Sequence, residues 1–533
     1  MRGINLRKEH LATVLCLAAS LLLTAVIWYL YYEKYFTGLI LNDAMDYAGI
    51  ARNITRGMSF ISQYITPLSL AHMGIPQPEM WRAPLWPLVL AGFQKLLGST
   101  DEASALGTGF FFIATSPVIF LLARQWFGGL VAAGSVLLYT FTPELLRYSI
   151  SGMTEPLAVF LMALTFLTVS SESLKSRSGD WLSGLILGLF YLARYNALVF
   201  LPFFLLYRWI YRKNDYRPPL RMLAGFIVVT LPWFIRNTLL FGNPLFSLQK
   251  YEVAMFTPVY PDYSLYLHTL TINVAEFLKN NPQAMLEKIS HNWTTYISLF
   301  LSPQINGVSA LVFIIFLMSL FIKMNKKTLG VRPLLVACFL TQLAALLVIH
   351  FIPRLFLVFT PLYIIFALGA LYLLTRAAAQ KIRLKSLPGL LTALFVLFLS
   401  FYNFTSSEPP ERVVSDRDAY LKVMAELYKR VPEDQVILTD MGHLVSWYGD
   451  RYACKIPYSV EMVPEIKKRA DLGAAFISDR ILWHMPEADR SWKQLWYQNP
   501  TVLHGLKLYK RVKGKGSIYL KPEIILNIKD YTT

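Results

Sequence analysis

The sequence predicts a polytopic, mainly α-helical membrane protein that ends in a small α/β domain outside the membrane. Hydrophobic residues make up 55% of the 533 residues and charged residues only 16%, whereas soluble domains carry about a quarter charged residues. Several apolar runs reach the roughly 20 residues that a helix needs to cross a bilayer. From about residue 405 onwards the composition changes, with 20 basic and 17 acidic residues in a segment typical of a soluble domain.

Apolar runs in the first 404 residues give eleven candidate membrane spans. The fifth and sixth are the shortest and therefore the weakest candidates. The runs lie at about 11–32, 103–123, 128–146, 156–171, 181–193, 197–211, 220–240, 306–322, 333–351, 355–375 and 387–404.

The distribution of basic residues predicts how the chain is oriented. If the N-terminus is cytoplasmic, the inner loops hold 19 basic and four acidic residues. Such an excess of Lys and Arg is typical of cytoplasmic loops. The net charge of +18 is therefore explained by topology, and it does not indicate nucleic acid as a partner. An odd number of spans then makes the C-terminal domain extracytoplasmic.

The sequence divides into a membrane domain at 1–404 and an extracytoplasmic α/β domain at 405–533. The membrane domain has large outer loops at about 33–102 and 241–304. In the first of these loops, apolar residues at helical spacing predict an amphipathic helix along the membrane surface, namely Tyr47, Ile50, Ala51 and Ile54. A surface helix is also predicted near 283–300. In the tail, a helix is predicted at 416–431 and strands at 436–439, 474–478 and 506–509.

Charged residues near the spans share the outer side of this topology. They are Asp43, Asp46, Arg82, Glu155, Arg194, Arg236 and Arg354. Charges at the membrane are costly and usually functional. A transporter would place them near the midplane, within two related halves of the chain. The pattern therefore favours an enzyme at the outer surface, and because the inner loops are too short for a nucleotide-binding domain, its activated donor must come from the lipid. A lipid or sugar transporter or flippase and a catalytically inactive scaffold remain as alternatives.

Short motifs in the outer loops carry a family resemblance. They are NDAMDY at 42–47, RAPL at 82–85, GMTEP at 152–156, PWFIRN at 232–237 with FGNP at 241–244, and PRL at 353–355. Together and in this order they resemble motifs of GT-C glycosyltransferases, closest to the protein O-mannosyltransferase and lipid A aminoarabinose-transferase group. The acidic motif more often has Asp where this chain has Glu155, and many members have Arg-Tyr where this chain has Arg354 and Leu355.

The resemblance covers roughly residues 1–404 and implies a fold and an activity. The fold would be the GT-C fold, with about 11–13 transmembrane helices. The activity would be that of an inverting hexosyl- or pentosyltransferase at the outer face of the membrane. Its partners would be membrane lipids, a polyprenyl-phosphate-linked sugar as donor and a lipid, glycan or protein as acceptor. The setting would be a bacterial inner membrane.

The resemblance also implies roles for individual residues. Asp43 would be the general base, because transfer with inversion needs a base to accept the acceptor's proton, and Asp46 would be a second catalytic carboxylate. Arg82, Arg354 and Arg194 would bind the donor phosphate, since guanidinium groups bind phosphate through paired hydrogen bonds. Glu155, Tyr47 and Arg236 would contact the acceptor or support the site.

Each of these residues also has a structural explanation. Asp43 is suited to cap a helix, with Asp46 in its first turn, and Glu155 is favourable at a helix start. The arginines are able to reach lipid headgroups from the ends of spans. No metal ligand is assigned, because His72, His268, His291 and His350 have no spacing that unites them. The sequence requires no cofactor and gives no support for a divalent metal.

Overall fold

The structure is a computed structural model that describes residues 2–172, 174–381, 383, 386–405, 414–482 and 488–529. Parts of the predicted C-terminal domain, at 406–413, 483–487 and 530–533, lie outside the described residues. Up to residue 405 the chain is mainly helical, and after residue 413 helices alternate with strands. This division follows the composition change near residue 405.

The helices of the first part are α1 (Arg2–Tyr35), α2 (Asn42–Thr55), α3 (Pro67–His72), α4 (Leu85–Leu97), α5 (Asp101–Phe127), α6 (Gly129–Thr140), α7 (Pro143–Ser149), α8 (Glu155–Ser170), α9 (Arg177–Ala193), α10 (Leu201–Tyr211), α11 (Arg217–Phe241), α12 (Val274–Asn280), α13 (Pro282–Ser298), α14 (Pro303–Asn306), α15 (Ala310–Ser319), α16 (Lys326–Val348), α17 (Thr360–Lys381) and α18 (Leu387–Thr405). Short 3-10 helices cover Tyr195–Phe200, Leu248–Val253, Ser264–Leu267 and Pro353–Phe359.

Six helical segments among the described residues are long and apolar enough to cross a membrane. They are Leu11–Tyr35, Asp101–Phe127, Arg217–Phe241, Thr328–Val348, Pro353–Gln380 and Leu387–Thr405. Helices α6 and α7 meet this criterion as a pair bent by 61°, while α4, α8 and α15 are shorter apolar helices. The chain is thus a multi-pass membrane protein. A helix occupies each of the eleven predicted spans, and the number that cross the membrane stays a prediction.

Helices α9 and α11 pack closely because glycines face each other along their contact. A Cβ atom at Gly184 would lie 2.0 Å from the carbonyl oxygen of Met222, and one at Gly225 would lie 2.6 Å from that of Trp181. Small residues allow this approach of two backbones in membrane proteins. This packing positions the C-terminal end of α9, which Arg194 follows directly.

The C-terminal domain contains α19 (Val414–Arg430), α20 (Gly442–Tyr448), α21 (Val463–Lys467), α22 (Ser491–Gln498) and α23 (Pro522–Lys529). Its strands are β4 (Val436–Thr439), β5 (Ala453–Lys455), β6 (Leu472–Ser478), β7 (Val502–Leu503), β8 (Leu506–Val512) and β9 (Gly516–Leu520). The predicted helix and the three predicted strands match α19, β4, β6 and β8 to within a few residues.

One sheet connects this domain to the first outer loop. That loop contains strands β1 (Ile61–Ser62), β2 (Tyr64–Ile65) and β3 (Gln77–Pro78), of which β1 and β3 pair with each other. Strand β2 pairs in parallel with β5, so the sheet has the order β2-β5-β4-β6-β9-β8-β7. In this sheet the pairs β2–β5, β5–β4 and β4–β6 are parallel, and the pairs β6–β9, β9–β8 and β8–β7 are antiparallel. The C-terminal domain therefore packs directly against the loop that carries Asp43, through the pairing of β2 with β5.

Helix α2 differs from the predicted amphipathic surface helix. Residues 44–53 are all buried, so the helix has no face left for a membrane surface. It packs against α4 on one side and against α20 of the C-terminal domain on the other. Arg52 fixes this arrangement, because its buried guanidinium donates to the carbonyl oxygens of Ser446 and Trp447 at 2.7 and 2.6 Å. The helix that the apolar spacing predicts therefore forms, but other parts of the protein, rather than a membrane surface, cover it.

Candidate active site

A cavity of about 480 Å³ lies between α2, the loop before α4, the second outer loop and the C-terminal domain. This volume is within the usual range for small-molecule sites. The predicted residues Asp43, Asp46, Tyr47, Arg82, Arg194 and Arg354 line it. Residues up to 311 positions apart in sequence thus meet in one place.

Asp43 is held between two arginines. Its Oδ1 accepts a hydrogen bond from Arg82 Nη2 at 2.8 Å, and its Oδ2 accepts one from Arg354 Nη2 at 2.6 Å. The Asp43 side chain is 24% exposed and the Arg354 side chain is 32% exposed. The N-cap of α2 is Leu41, so Asp43 lies in the first turn and does not cap the helix. Both arginines donate hydrogen bonds to Asp43. Their main contacts are therefore with the protein and not with lipid headgroups.

Asp46 and Tyr47 hold the other side of Arg82. Arg82 Nε donates to Asp46 Oδ2 at 2.7 Å, and Ser62 donates to Asp46 Oδ1 at 3.2 Å. The Arg82 guanidinium also lies 5.0 Å from the centre of the Tyr47 ring, within the range of a cation–π contact. Asp46 is thus a partner of Arg82, and Tyr47 supports the same group.

Glu155 and Arg194 form a second ion pair, in which Arg194 lines the cavity and the buried Glu155 does not. Arg194 Nη2 lies 2.6 Å from Glu155 Oε1, and Arg354 Nε lies 3.4 Å from the same oxygen. Neither oxygen of the buried Glu155 has a well-aligned hydrogen bond among the described residues, so these contacts are ionic rather than directional. Thr154 accepts a hydrogen bond from Arg194 Nε at 2.9 Å. Glu155 therefore connects Arg194 to Arg354.

Backbone geometry brings these motifs together. Gly152 has a φ of +75°, and a Cβ there would lie 2.8 Å from a Leu39 methyl group, so both the conformation and the space require glycine. The buried Trp86 donates from its indole nitrogen to the Gly152 carbonyl oxygen at 2.9 Å. This bond connects the Arg82 loop to the turn before Glu155.

Arg236 lies behind the cavity and not among its lining residues. Its Nη2 donates to the carbonyl oxygen of Glu79 at 2.9 Å, and its guanidinium lies 4.4 Å from the Trp233 ring centre. Glu79 in turn accepts a hydrogen bond from the Arg82 amide at 2.7 Å. Arg236 thus supports the turn that positions Arg82.

The carboxyl groups of the site differ in their acid–base properties. Burial opposes the ionisation of Asp43, but the charges of Arg82 and Arg354 outweigh it and hold its pKa well below the usual range. Burial raises the pKa of Asp46 in spite of its contact with Arg82. Burial and the nearby Asp46 raise the pKa of Glu79 to about 7. Asp43 is therefore ionised at neutral pH while both arginines contact it.

Several residues that line the cavity lie outside every motif of the sequence. Glu252, Tyr263, Tyr266 and His350 come from the second outer loop and from the segment after α16, and His443 and Lys455 come from the C-terminal domain. Burial and the charges of Arg82 and Lys455 lower the pKa of His443 to about 3. The spacing of these residues gives no signal, because long-range packing alone brings them to the cavity.

The described residues contain no group of three or more His, Cys, Asp or Glu side chains arranged to hold a metal ion. His350 contacts Tyr263, His72 contacts Tyr251 and His268 stacks on Tyr458. These three histidines therefore have neighbours typical of protein packing.

Comparison with known proteins identifies similar sequences and folds. A family model described as dolichyl-phosphate-mannose-protein mannosyltransferase matches residues 81–235, a stretch that includes Arg82, Glu155 and Arg194. A search of curated proteins found no significant match.

Solved structures match over most of the chain. ArnT from Cupriavidus metallidurans in the apo state aligns with a TM-score of 0.59 and 12% identity, over 96% of this chain and 98% of that chain. The same protein bound to undecaprenyl phosphate gives 0.59 and 12%, over 95% and 97%. The Archaeoglobus fulgidus oligosaccharyltransferase in complex with Zn and sulfate gives 0.56 and 13%, over 87% and 68%.

At these identities the alignments establish the fold, and the family match adds sequence similarity in the region of Arg82 and Arg194. Both agree with the fold that the outer-loop motifs imply. The chain is therefore a multi-pass membrane protein with the GT-C glycosyltransferase fold, similar to the protein mannosyltransferases and to ArnT.

Proposed function

We propose that the protein is an inverting glycosyltransferase that moves a sugar from a polyprenyl-phosphate donor to an acceptor at the outer face of the membrane. The observation that carries this proposal is the placement of Asp43 between Arg82 and Arg354 at the cavity surface, at 2.8 and 2.6 Å. One carboxylate and two guanidinium groups supply a base and a phosphate-binding pair in contact with each other. The fold and the undecaprenyl phosphate bound to ArnT support the same donor class.

In the proposed reaction, an acceptor hydroxyl or amine attacks the anomeric carbon of the donor sugar. The bond between that carbon and the phosphate oxygen breaks, and its electron pair stays with the polyprenyl phosphate. Asp43 takes the acceptor's proton, while Arg82 and Arg354 stabilise the charge that develops on the leaving phosphate. Attack from the face opposite the phosphate inverts the anomeric configuration.

The ion pairs of Asp43 give the donor a second role. A carboxylate in contact with two arginines is a weak base, because their charges lower its pKa, as they do for Asp43. When a donor phosphate binds Arg82 and Arg354, Asp43 loses part of this stabilisation and its basicity rises. The base therefore becomes effective after the donor has bound, which limits unproductive proton transfer in the empty site.

We place the cavity on the extracytoplasmic side of a bacterial inner membrane, with the N-terminus in the cytoplasm. The excess of basic residues in the other set of loops supports this orientation. A reporter fused after residue 404 should then be extracytoplasmic and one inserted near Lys326 cytoplasmic. The opposite pair of results would put the cavity on the wrong side for a lipid-linked donor.

The experiment that tests the function is a comparison of cell envelopes. A strain that lacks the protein is complemented with the wild type or with Asp43→Asn, and envelope glycolipids and glycoproteins are analysed by mass spectrometry. We expect one glycoform to disappear in the deletion strain, to return with the wild type and to stay absent with a normally expressed Asp43→Asn. Full restoration by Asp43→Asn would contradict the proposal and would favour the transporter or the scaffold.

A further inference from the structure

The cavity has a second wall whose chemistry differs from that around Asp43. Glu252, Tyr263, Tyr266 and His350 line it, and their side chains form a chain of polar contacts. The second outer loop supplies the first three, and His350 follows α16. The proposed roles of Asp43 and the arginines do not use this wall.

The contacts run from Tyr266 through Glu252 and His350 to Tyr263. Tyr266 donates to Glu252 Oε1 at 2.8 Å, and Glu252 Oε2 lies 3.5 Å from His350 Nδ1. On the other side of the ring, His350 Nε2 lies 3.0 Å from the Tyr263 hydroxyl. The His350 side chain is 8% exposed, and its Nδ1 has no hydrogen-bond partner among the described residues. A small closure of the 3.5 Å gap would complete the chain.

The ring of His350 is neutral near pH 7. Burial and the charges of Lys288 and Arg354 lower its pKa to about 3, and its face stacks on Phe256 at 4.4 Å between ring centres. A neutral imidazole has one N–H donor and one acceptor nitrogen. The protonation state of Glu252 therefore decides which nitrogen carries the hydrogen.

Two states of the chain follow. If Glu252 is protonated, its O–H donates to His350 Nδ1 and Nε2–H donates to the Tyr263 oxygen, so the Tyr263 hydrogen points into the cavity. If Glu252 has lost its proton, Nδ1–H donates to the carboxylate and the Tyr263 hydroxyl donates to Nε2. Tyr263 then presents only an acceptor to the cavity. The two states differ by one proton, which leaves to solvent.

We propose that Glu252 and His350 are positioning residues that turn the Tyr263 hydroxyl into a donor for the phosphate of the bound lipid donor. This inference rests on the proposed function, because it needs a phosphate in the cavity. A phosphate oxygen only accepts hydrogen bonds, so it distinguishes the two states of Tyr263 in a way that a sugar hydroxyl does not. Ionised Glu252 would also add a negative charge opposite the phosphate.

The groups around Glu252 place its titration near neutrality. Burial raises its pKa to about 7, whereas the Tyr266 hydrogen bond and the charges of Arg82 and Lys288 lower it and the charge of Asp43 raises it. His350 stays neutral in this range. The folded-state pKa of Glu252 is raised, so the protonated state that favours phosphate prevails below about pH 7 and is lost as the pH rises through that value.

Two neighbouring groups titrate near the same range and need a control. The pKa of Glu79 is about 7, and burial lowers that of Lys288 to about 8. Lys288 donates to the carbonyl oxygens of Glu252 and Val253 at 2.8 and 2.9 Å. Glu252→Gln retains both groups and mimics protonated Glu252, because its amide oxygen can accept from Tyr266 and its NH₂ can donate to His350.

The test measures the affinity of purified protein for methyl undecaprenyl phosphate from pH 5.5 to 7.5. This diester keeps a single negative charge over the range, so the ligand itself does not titrate. We expect the wild type to lose up to about 4-fold more affinity over this range than Glu252→Gln, because with a pKa of about 7 about a quarter of Glu252 is still protonated at pH 7.5. At pH 5.5, Tyr263→Phe should bind about 10- to 100-fold more weakly than the wild type, because a hydrogen bond to a charged group is lost.

Matched controls lie in the same loops. Tyr260→Phe changes a tyrosine that does not line the cavity, and Glu276→Gln changes an exposed residue of α12; both should behave as the wild type. Parallel pH profiles of wild type and Glu252→Gln, or unchanged binding by Tyr263→Phe, would overturn the inference while the proposed function stands. A wild type that does not bind the diester at any pH would contradict the proposed function and the inference with it.

Discussion

Two groups of arginines and aspartates lie in the membrane part of the molecule, and they differ in how completely their charges are satisfied. The cavity cluster consists of Asp43, Asp46, Arg82 and Arg354. The Asp180 cluster consists of Asp180, Arg208, Arg212 and Arg221. The same residue types serve in both, so composition alone does not distinguish a site from a structural contact.

In the Asp180 cluster the central pair is closed. Asp180 and Arg208 are 0% exposed. Arg208 Nε donates to Asp180 at 2.8 Å, and the remaining nitrogens donate to the carbonyl oxygens of Val169 and Leu174 at 3.0 Å. Arg221 donates from Nε and Nη2 to the other carboxylate oxygen, Asp180 Oδ2, at 3.0 and 2.7 Å. Such a pair has no room for a ligand and holds α9, α10 and α11 together.

In the cavity cluster the central carboxylate is accessible, although Arg82 is only 16% and Asp46 only 5% exposed. Asp43 and Arg354 keep 24% and 32% of their exposure, and Arg354 Nε has no hydrogen-bond partner among the described residues. A ligand phosphate is therefore able to approach the exposed part of the Arg354 guanidinium, which the hydrogen bond to Asp43 already orients. The comparison teaches that the exposure of the central carboxylate, rather than charge, distinguishes the cavity cluster, because Asp43 is 24% exposed and Asp180 is 0% exposed.

The largest expected effect is on turnover, from Asp43→Asn. This change keeps the shape but removes the base, so we expect transfer to fall by about 10²–10⁴-fold. The measurement is steady-state transfer by reconstituted protein with a polyprenyl-phosphate sugar. Asp434→Asn, at an exposed position of the C-terminal domain, is the control. Near-normal turnover in a folded Asp43→Asn variant would return Asp43 to a structural role.

The matching change in the Asp180 cluster should affect stability and leave the chemistry intact. Asp180→Asn leaves three arginines without their shared carboxylate, and breaking a buried ion pair costs roughly 3–5 kcal/mol. Thermal unfolding in detergent should show a clear decrease in Tm, with turnover per folded molecule unchanged. Asp215→Asn, at an exposed neighbouring position, should leave Tm nearly unchanged. Equal Tm values for both variants would contradict the structural role of the cluster.

Within the cavity cluster, arginine geometry should matter as well as charge. Arg354→Lys keeps the charge but replaces the planar fork with a single ammonium group, so we expect transfer to fall by roughly 10- to 100-fold. A residue that only reached lipid headgroups would tolerate this change. Full activity in Arg354→Lys would leave charge as its only contribution, and full activity in Arg354→Ala would remove it from the site.

The smallest expected effect comes from Arg82→Lys. A lysine at position 82 would keep the positive charge and one contact with the aspartates. We expect transfer to fall by less than about 10-fold. The same assay gives the result, and a loss larger than that of Arg354→Lys would reverse the assigned order of the two arginines.

The sequence predicts the motif-bearing part of the site and misses the part built by long-range packing. Asp43, Arg82 and Arg354 each stand in a short motif near a span, where charge is unusual enough to be noticed. Glu252 and Tyr263 lie in a loop without periodicity, and their roles depend on contacts with His350 about 90 residues later. Only three-dimensional packing creates this wall.

The fold shows the same limit. Long apolar runs predict the helices, and alternation of hydrophobic residues predicts β4, β6 and β8. Strand β2 has two residues and pairs with β5 almost 390 positions later, so no local pattern predicts it. The same pairing helps to explain why α2 is buried, since it holds the C-terminal domain, whose α20 packs against this helix, next to the first outer loop.

The central claim is that Asp43 and the donor phosphate share Arg82 and Arg354. The most direct test is the affinity of Asp43→Asn for methyl undecaprenyl phosphate, measured beside the wild type at pH 5.5. Removal of the competing carboxylate charge should leave the diester bound at least as tightly as in the wild type, even though transfer is lost. Binding weaker by 10-fold or more in a folded Asp43→Asn protein would contradict the claim, because Asp43 would then support donor binding instead of competing with it.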